Sequence, residues 1–148
     1  MKLKVSTNAF SSGKAIPAKY SCDGTDFNPE IMISGIPEKT ASLALIVDDP
    51  DAPGGVWTHW VVWNIPVEGK TKTIQENSVP GVQGTNSAAS LEFHGPCPPS
   101  GTHKYYFKVY ALDSNLSLKE GSTKTDLEKA MKGRLLAQGE LMGTYQRE

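Results

Sequence analysis

The 148-residue chain predicts a mainly β fold with one amphipathic helix near its C-terminus, laid against a sheet. Fourteen glycines and ten prolines recur at short intervals. Between them lie runs rich in Val, Ile, Tyr, Phe and Trp, the pattern of strands joined by turns. Two of those runs, HWVVWNI and KYYFKVYAL, are apolar on both faces, so they belong in a sheet covered on both sides. One segment, TDLEKAMKGRLLAQGEL, changes to the period of a helix.

In chain order the expected strands cover residues 2–6, 30–34, 42–48, 57–65, 104–112 and 141–145. Strict alternation along the fourth places His59, Val61, Trp63 and Ile65 on one face and Trp60 and Val62 on the other. Tryptophans at 57, 60 and 63 scatter over both faces, which favours core packing for Trp60 and Trp63 over a base-stacking platform. The helix is expected over residues 125–141, with Leu127, Met131, Leu135 and Gln138 on one stripe. Thr125 and Glu128 are its expected capping box, and Gly133 and Gly139 weaken it.

A chain of this length is expected to form one domain, residues 1–148, because single domains commonly reach about 100–150 residues. Its formal net charge is −1 and no long block of one sign occurs, which argues against a nucleic-acid partner. No segment approaches the roughly 18 apolar residues of a membrane span, and the N-terminus has no apolar run of secretory type. The protein is therefore expected to be cytoplasmic and not membrane-spanning. Its two cysteines, Cys22 and Cys97, match no zinc spacing and are expected as free thiols in that compartment.

The chemistry-bearing residues gather in two stretches rich in Pro and Gly, each at the mouth of a core strand, where rigid scaffolds hold functional loops. The first, DDPDAPGGVWTHW, carries Asp48, Asp49, Asp51 and His59. The second, FHGPCPPSGTHKY, carries His94, Cys97, His103 and Tyr105. Three chemistries compete. The histidines and acids could bind a divalent metal, although no HxH or HxxxH pair is present. They could perform acid–base or nucleophilic catalysis, although no GxSxG elbow appears. They could form an anion pocket in which imidazoles, a tyrosine hydroxyl and loop N–H groups donate, with an Asp holding the imidazoles protonated. The plain alternative is a satisfied core histidine beside an Asp-rich turn.

The same stretches carry a resemblance. DDPDAPGG followed by WTHWVVWNIP, GPCPPSGTHKYYFKVYALD and LEKAMKGRLLAQGELMGTYQR, with YSCDGTDFNPEI before them, resembles the phosphatidylethanolamine-binding protein family. Within it the chain is similar to the bacterial and archaeal branch labelled Raf kinase inhibitor-like. The resemblance implies two packed antiparallel sheets with Greek-key connections and a helix near the C-terminus. It also implies a small anion-binding surface pocket for phosphate-containing ligands, a phospholipid head group or a related phosphate or carboxylate. No cofactor and no metal are implied.

Carried over by motif, the ligand-binding set is Asp49, Asp51, His59, Gly95, Pro98, Pro99, His103 and Tyr105. A non-catalytic binding protein, modulating or inhibiting another protein, is the function implied, with a homodimer expected. Two rivals stand beside it, a hydrolase using His59 or His103 with Asp49, and an inhibitor acting by surface contact alone. The sequence departs from the family pattern in SLEFH, which adds His94 near the pocket, and in MKGRLL, which puts Arg134 at a position where the branch usually has histidine.

Overall fold

The computed structural model describes residues 2–147, and element order follows from the alternation of apolar runs and turn residues. Eight strands and one α-helix occur among the described residues: β1 (Lys4–Ser6), β2 (Ile31–Ser34), β3 (Ser42–Asp49), β4 (Trp57–Ile65), β5 (Thr71–Ile74), β6 (Val82–Gln83), β7 (Thr102–Leu112), α1 (Lys124–Met131) and β8 (Leu135–Gln146). They form two antiparallel sheets, a three-stranded one in the order β1-β2-β5 and a five-stranded one in the order β6-β4-β3-β7-β8.

β3 lies at the centre of the larger sheet and is buried along its whole length, which accounts for its continuous apolar run. One face, through Leu43, Leu45 and Val47, packs with Trp60, Val62, Phe107 and Val109 against Val5, Ile31, Ile33 and Ile74 of the smaller sheet. The other, through Ala44 and Ile46, packs with Val61 and Trp63 against Leu127 and Met131 of α1. Trp60 and Trp63 are thus core residues of two different layers. Burial of side chains of this size contributes about 1.5–3 kcal/mol each.

The alternation expected along β4 fails at two places, and both are bulges. Leu43 pairs with Ile65 but Leu45 with Val62, so β4 carries one extra residue at its C-terminal end, where Asn64 has a φ of 55°. Ile65 is thereby turned into the inter-sheet core, away from Trp63. Val47 pairs with Trp60 but Asp48 with Thr58, which leaves His59 as the extra residue. A bulge re-aims a side chain, and His59 leaves the helix-side face occupied by Val61.

The helix is shorter than expected. It ends at Met131, before Gly133 in a left-handed conformation (φ 81°), and residues 135–146 form β8. Its capping box is Thr123 with Asp126, two residues earlier than Thr125 with Glu128. Helical spacing of Leu127, Met131 and Leu135 competed with a period-2 pattern further on, in which Ala137, Leu141 and Tyr145 are the buried positions. Gly139 and Gly143 lie on that same face because Leu3, and Ile16 with Phe10, occupy the space a Cβ would need. β5 and β6 were not expected: TKTI buries only Ile74, and VQ has two residues, so neither has an apolar run to read.

Candidate anion pocket

β3 and β4 are joined by the DPDAPGG turn, and β7 begins after GPCPPSG, so the two loops meet at one end of the larger sheet. Between them lies a cavity of about 400 Å³ lined by Asp49, Ala52, Pro53, Trp57, His59, His94, Cys97, Pro98, Pro99, His103 and Tyr105. Asp49 and Trp57 face it as a cross-strand pair. His103 and Tyr105 face it from β7 at the two-residue spacing of one strand face. The aromatic rings touch one another: Trp57 lies 4.6 Å from His59 and 4.9 Å from His94 between centroids, and Tyr105 meets His59 edge-on at 5.2 Å.

All three imidazoles are pinned by the same ring nitrogen. His59 Nδ1 lies 2.6 Å from the His94 carbonyl oxygen, His94 Nδ1 lies 3.1 Å from the Gly95 carbonyl oxygen, and His103 Nδ1 lies 2.7 Å from Asp49 Oδ2. A carbonyl can only accept, so Nδ1 of His59 and of His94 carries the proton, and Nε2 is left as the open nitrogen. Burial draws His59 down from 6.5 to about 4, more than the His94 carbonyl and the nearby Asp49 and Asp48 offset. His59 is therefore neutral at neutral pH, not held protonated by an Asp. Burial, with Asp49 and Asp51 adding to it, raises the Tyr105 phenol above its usual value, so it stays a hydroxyl. That hydroxyl is buried and has no hydrogen-bond partner among the described residues.

The three acids of DDPD diverge. Asp49 bonds His103 and, through Oδ1, accepts the N–H of Asp51 at 2.8 Å; it makes no hydrogen bond to His59. Asp51 does not line the cavity; its carboxylate accepts the backbone N–H of Lys104 at 2.9 Å and so ties the turn to the start of β7. Asp48 points to the opposite face, where it is buried between Lys108 of β7 and Lys124 of α1, both at 3.1 Å.

Of the remaining expected residues, Pro98 and Pro99 line the wall and Gly95 stands behind it. Gly95 donates its N–H to Asp26 Oδ1 at 2.7 Å, and the backbone of Tyr20 and Ser21 leaves no space there for a Cβ. The thiols are not free: Cys22 is bonded to Cys97, which fastens the loop after a short 3-10 turn (Ala18–Tyr20) to the cavity wall. A cytosolic setting favours free thiols, but the fold sets the two Cα atoms 5.4 Å apart, within reach of a disulfide. Trp57, Ala52, Pro53 and Cys97 were not among the expected ligand-binding residues, and His94, expected near the pocket, lines it. Trp57 was legible in principle, two residues before His59 on the same strand. Arg134 lies elsewhere, bonded to Ser114 at 2.9 Å.

Residues 6–146 match the family model for phosphatidylethanolamine-binding protein. The chain belongs to the phosphatidylethanolamine-binding protein family. Its relatives place it in the bacterial and archaeal branch. It is 47% identical to a UPF0098 protein of Pyrococcus horikoshii over 156 residues, covering 100% of this chain and 78% of that one. A UPF0098 protein of Methanothermobacter thermautotrophicus is 44% identical, with 98% of this chain and 99% of that one covered. Among solved structures, a phosphatidylethanolamine-binding protein homologue from Chlamydia trachomatis superposes with a TM-score of 0.93 at 42% identity, covering 99% of each chain. Escherichia coli YbcL, described as a member of the mammalian family, superposes with a TM-score of 0.89 at 29% identity over 100% of both chains. The two-sheet architecture with one helix is the family fold.

Proposed function

We propose that the chain, taken as one domain, is a non-catalytic binding protein whose cavity takes a small phosphate-containing or carboxylate ligand and thereby modulates a protein partner. The observation that carries this reading is the Tyr105 hydroxyl, a buried donor without a partner, in the wall of a cavity that also presents three open imidazole nitrogens. A buried polar group left unsatisfied costs about 1–3 kcal/mol, which a ligand oxygen would recover. Binding is favoured over turnover because the lining residues include no serine, no threonine and no free thiol, and a histidine lowered to about 4 is a weak general base near neutral pH.

A homodimer belongs to the same proposal and is checked by sedimentation. A cytoplasmic setting belongs to the proposal as well, and is tested by the redox state of the Cys22–Cys97 bond, which persists most readily in an oxidising compartment.

The test is calorimetric titration with phenyl phosphate and with benzoate, on the native chain and on the His59→Ala, His103→Ala double variant. Saturable binding of phenyl phosphate that the double variant loses is the expected result, with benzoate binding more weakly. Heat that persists unchanged in the double variant overturns the assignment of the cavity, and release of phenol or phosphate from phenyl phosphate overturns the non-catalytic reading.

A further inference from the structure

An anion pocket is ordinarily built from donors, and this one is short of them. None of its lining residues is Lys or Arg, and its one carboxylate, Asp49, is taken up by His103. The His59 Nδ1 proton is committed to the His94 carbonyl, and the His94 Nδ1 proton to the Gly95 carbonyl. What His59 has left is a lone pair on Nε2, which accepts and cannot donate. An oxyanion with no hydrogen presents only lone pairs to that nitrogen, and two acceptors facing each other in a largely buried site repel. A second negative charge on the ligand would meet no cationic side chain of fixed charge in the lining.

We propose, building on the anion reading above, that the cavity selects a singly charged phosphate that still carries a P–OH, whose own hydrogen is donated to Nε2 of His59 while Tyr105 donates to a second phosphate oxygen. Free dihydrogen phosphate and a phosphomonoester monoanion share this chemistry. A phosphodiester, the form found in most phospholipid head groups, and a sulfate monoester do not, since each is singly charged with no hydrogen to give. Trp57, Pro98 and Pro99 in the cavity wall suit an ester carrying an apolar or aromatic arm. Proton-bearing ligands are set apart by His59 alone among the three histidines, because its site is the most closed: His94, Trp57 and Tyr105 surround the ring, with Asp49 and Asp48 the charged groups nearest to it.

The experiment is competition calorimetry on the native chain at about pH 5.5, below the second phosphate ionisation near 6. The probes are phenyl phosphate, phenyl sulfate, diphenyl phosphate and inorganic phosphate. All four carry about one negative charge there, and phenyl phosphate and phenyl sulfate are matched in size, so that pair isolates the ligand hydrogen, while diphenyl phosphate adds a second ring and inorganic phosphate removes the first. Phenyl phosphate is expected to bind at least about tenfold more tightly than phenyl sulfate and diphenyl phosphate, since a site built to receive a ligand hydrogen rejects analogues lacking it. Inorganic phosphate weaker than phenyl phosphate identifies a monoester source, and the reverse order identifies free phosphate.

His59→Phe keeps an aromatic ring there and removes the acceptor, and the preference for phosphate over sulfate is expected to collapse in it. Because the readout is a ratio within one variant, a general loss of stability cancels. Nitrogen NMR of the native protein supplies a check free of mutation: His59 Nε2 is expected as an unprotonated ring nitrogen that shifts when phenyl phosphate is added. Equal affinity for phenyl phosphate and phenyl sulfate overturns this inference and leaves the anion pocket standing. Absence of binding by all four probes overturns both. A preference that survives His59→Phe overturns the role given to His59.

Discussion

Tyr105 and His59 are both ordinary core-strand residues by burial and unusual ones by bonding. Removing the Tyr105 hydroxyl deletes a buried group without a partner, so Tyr105→Phe is expected to leave stability unchanged or raise it by about 1 kcal/mol in urea unfolding, while phenyl phosphate affinity falls. Parallel losses of stability and affinity would point to a structural role only. His59 gives a pH signature. Its folded value of about 4 lies below the ordinary 6.5, so the unfolded chain takes up a proton first as pH falls. The associated stability is present in full above about 6.5 and is lost between there and about 4, to the extent of about 3 kcal/mol. Urea unfolding at intervals across that window is expected to show the slope, and His59→Gln to flatten it. A native profile with no slope between those values would contradict the neutral, buried state of this ring.

Elements set what these residues can do, and the Asp48 cluster shows how. Two successive acids on β3 point to opposite faces: Asp49 serves the cavity, while Asp48 joins β3 to β7 and α1 through Lys108 and Lys124. Either lysine alone still compensates the buried carboxylate. Lys108→Met with Lys124→Met leaves it unpaired and is expected to cost about 3–5 kcal/mol, well above the sum of the single changes. Additive losses in the double-variant cycle would refute a shared ion cluster. The opposition of these two acids was legible in the sequence from strand alternation alone, as were β3, β4 and β7, whose apolar runs are long. β8 was legible only over its last part, residues 141–145; its first half reads as helix, because Gly139 and Gly143 interrupt its apolar face for the sake of contacts with Leu3, Phe10 and Ile16 from the far end of the chain. Gly139→Ala is accordingly expected to destabilise by about 1–3 kcal/mol and to expose the N-terminal segment to protease, although it raises intrinsic propensity. Nor could pattern find the bulge at His59, since an unpaired residue is a property of two strands in register and not of either one.

On the scale of the whole molecule, the cavity is where distant parts of the chain are forced together: the β3–β4 turn, the start of β7, and, through Cys22–Cys97, the loop near residue 22. The bond spans 75 residues of sequence. Closing so long a loop in the unfolded chain corresponds to about 4 kcal/mol, so reduction is expected to lower the urea midpoint by a matching amount. No shift on adding reductant would mean that the bond contributes nothing to the folded chain's advantage. The motifs themselves named most of the lining, Asp49, His59, Pro98, Pro99, His103 and Tyr105. What they could not give was which nitrogen of the His59 ring carries the proton, which depends on the His94 carbonyl lying 2.6 Å from Nδ1. One feature ties the scales together. β3 and β4 would pair in register at this end if β4 were one residue shorter between the partners of Val47 and Asp48. A chain that lost His59 by deletion would therefore be expected to keep its layers, its helix and its disulfide while losing phenyl phosphate binding, so that the proposed recognition would rest on an insertion, separable from architecture by a single codon.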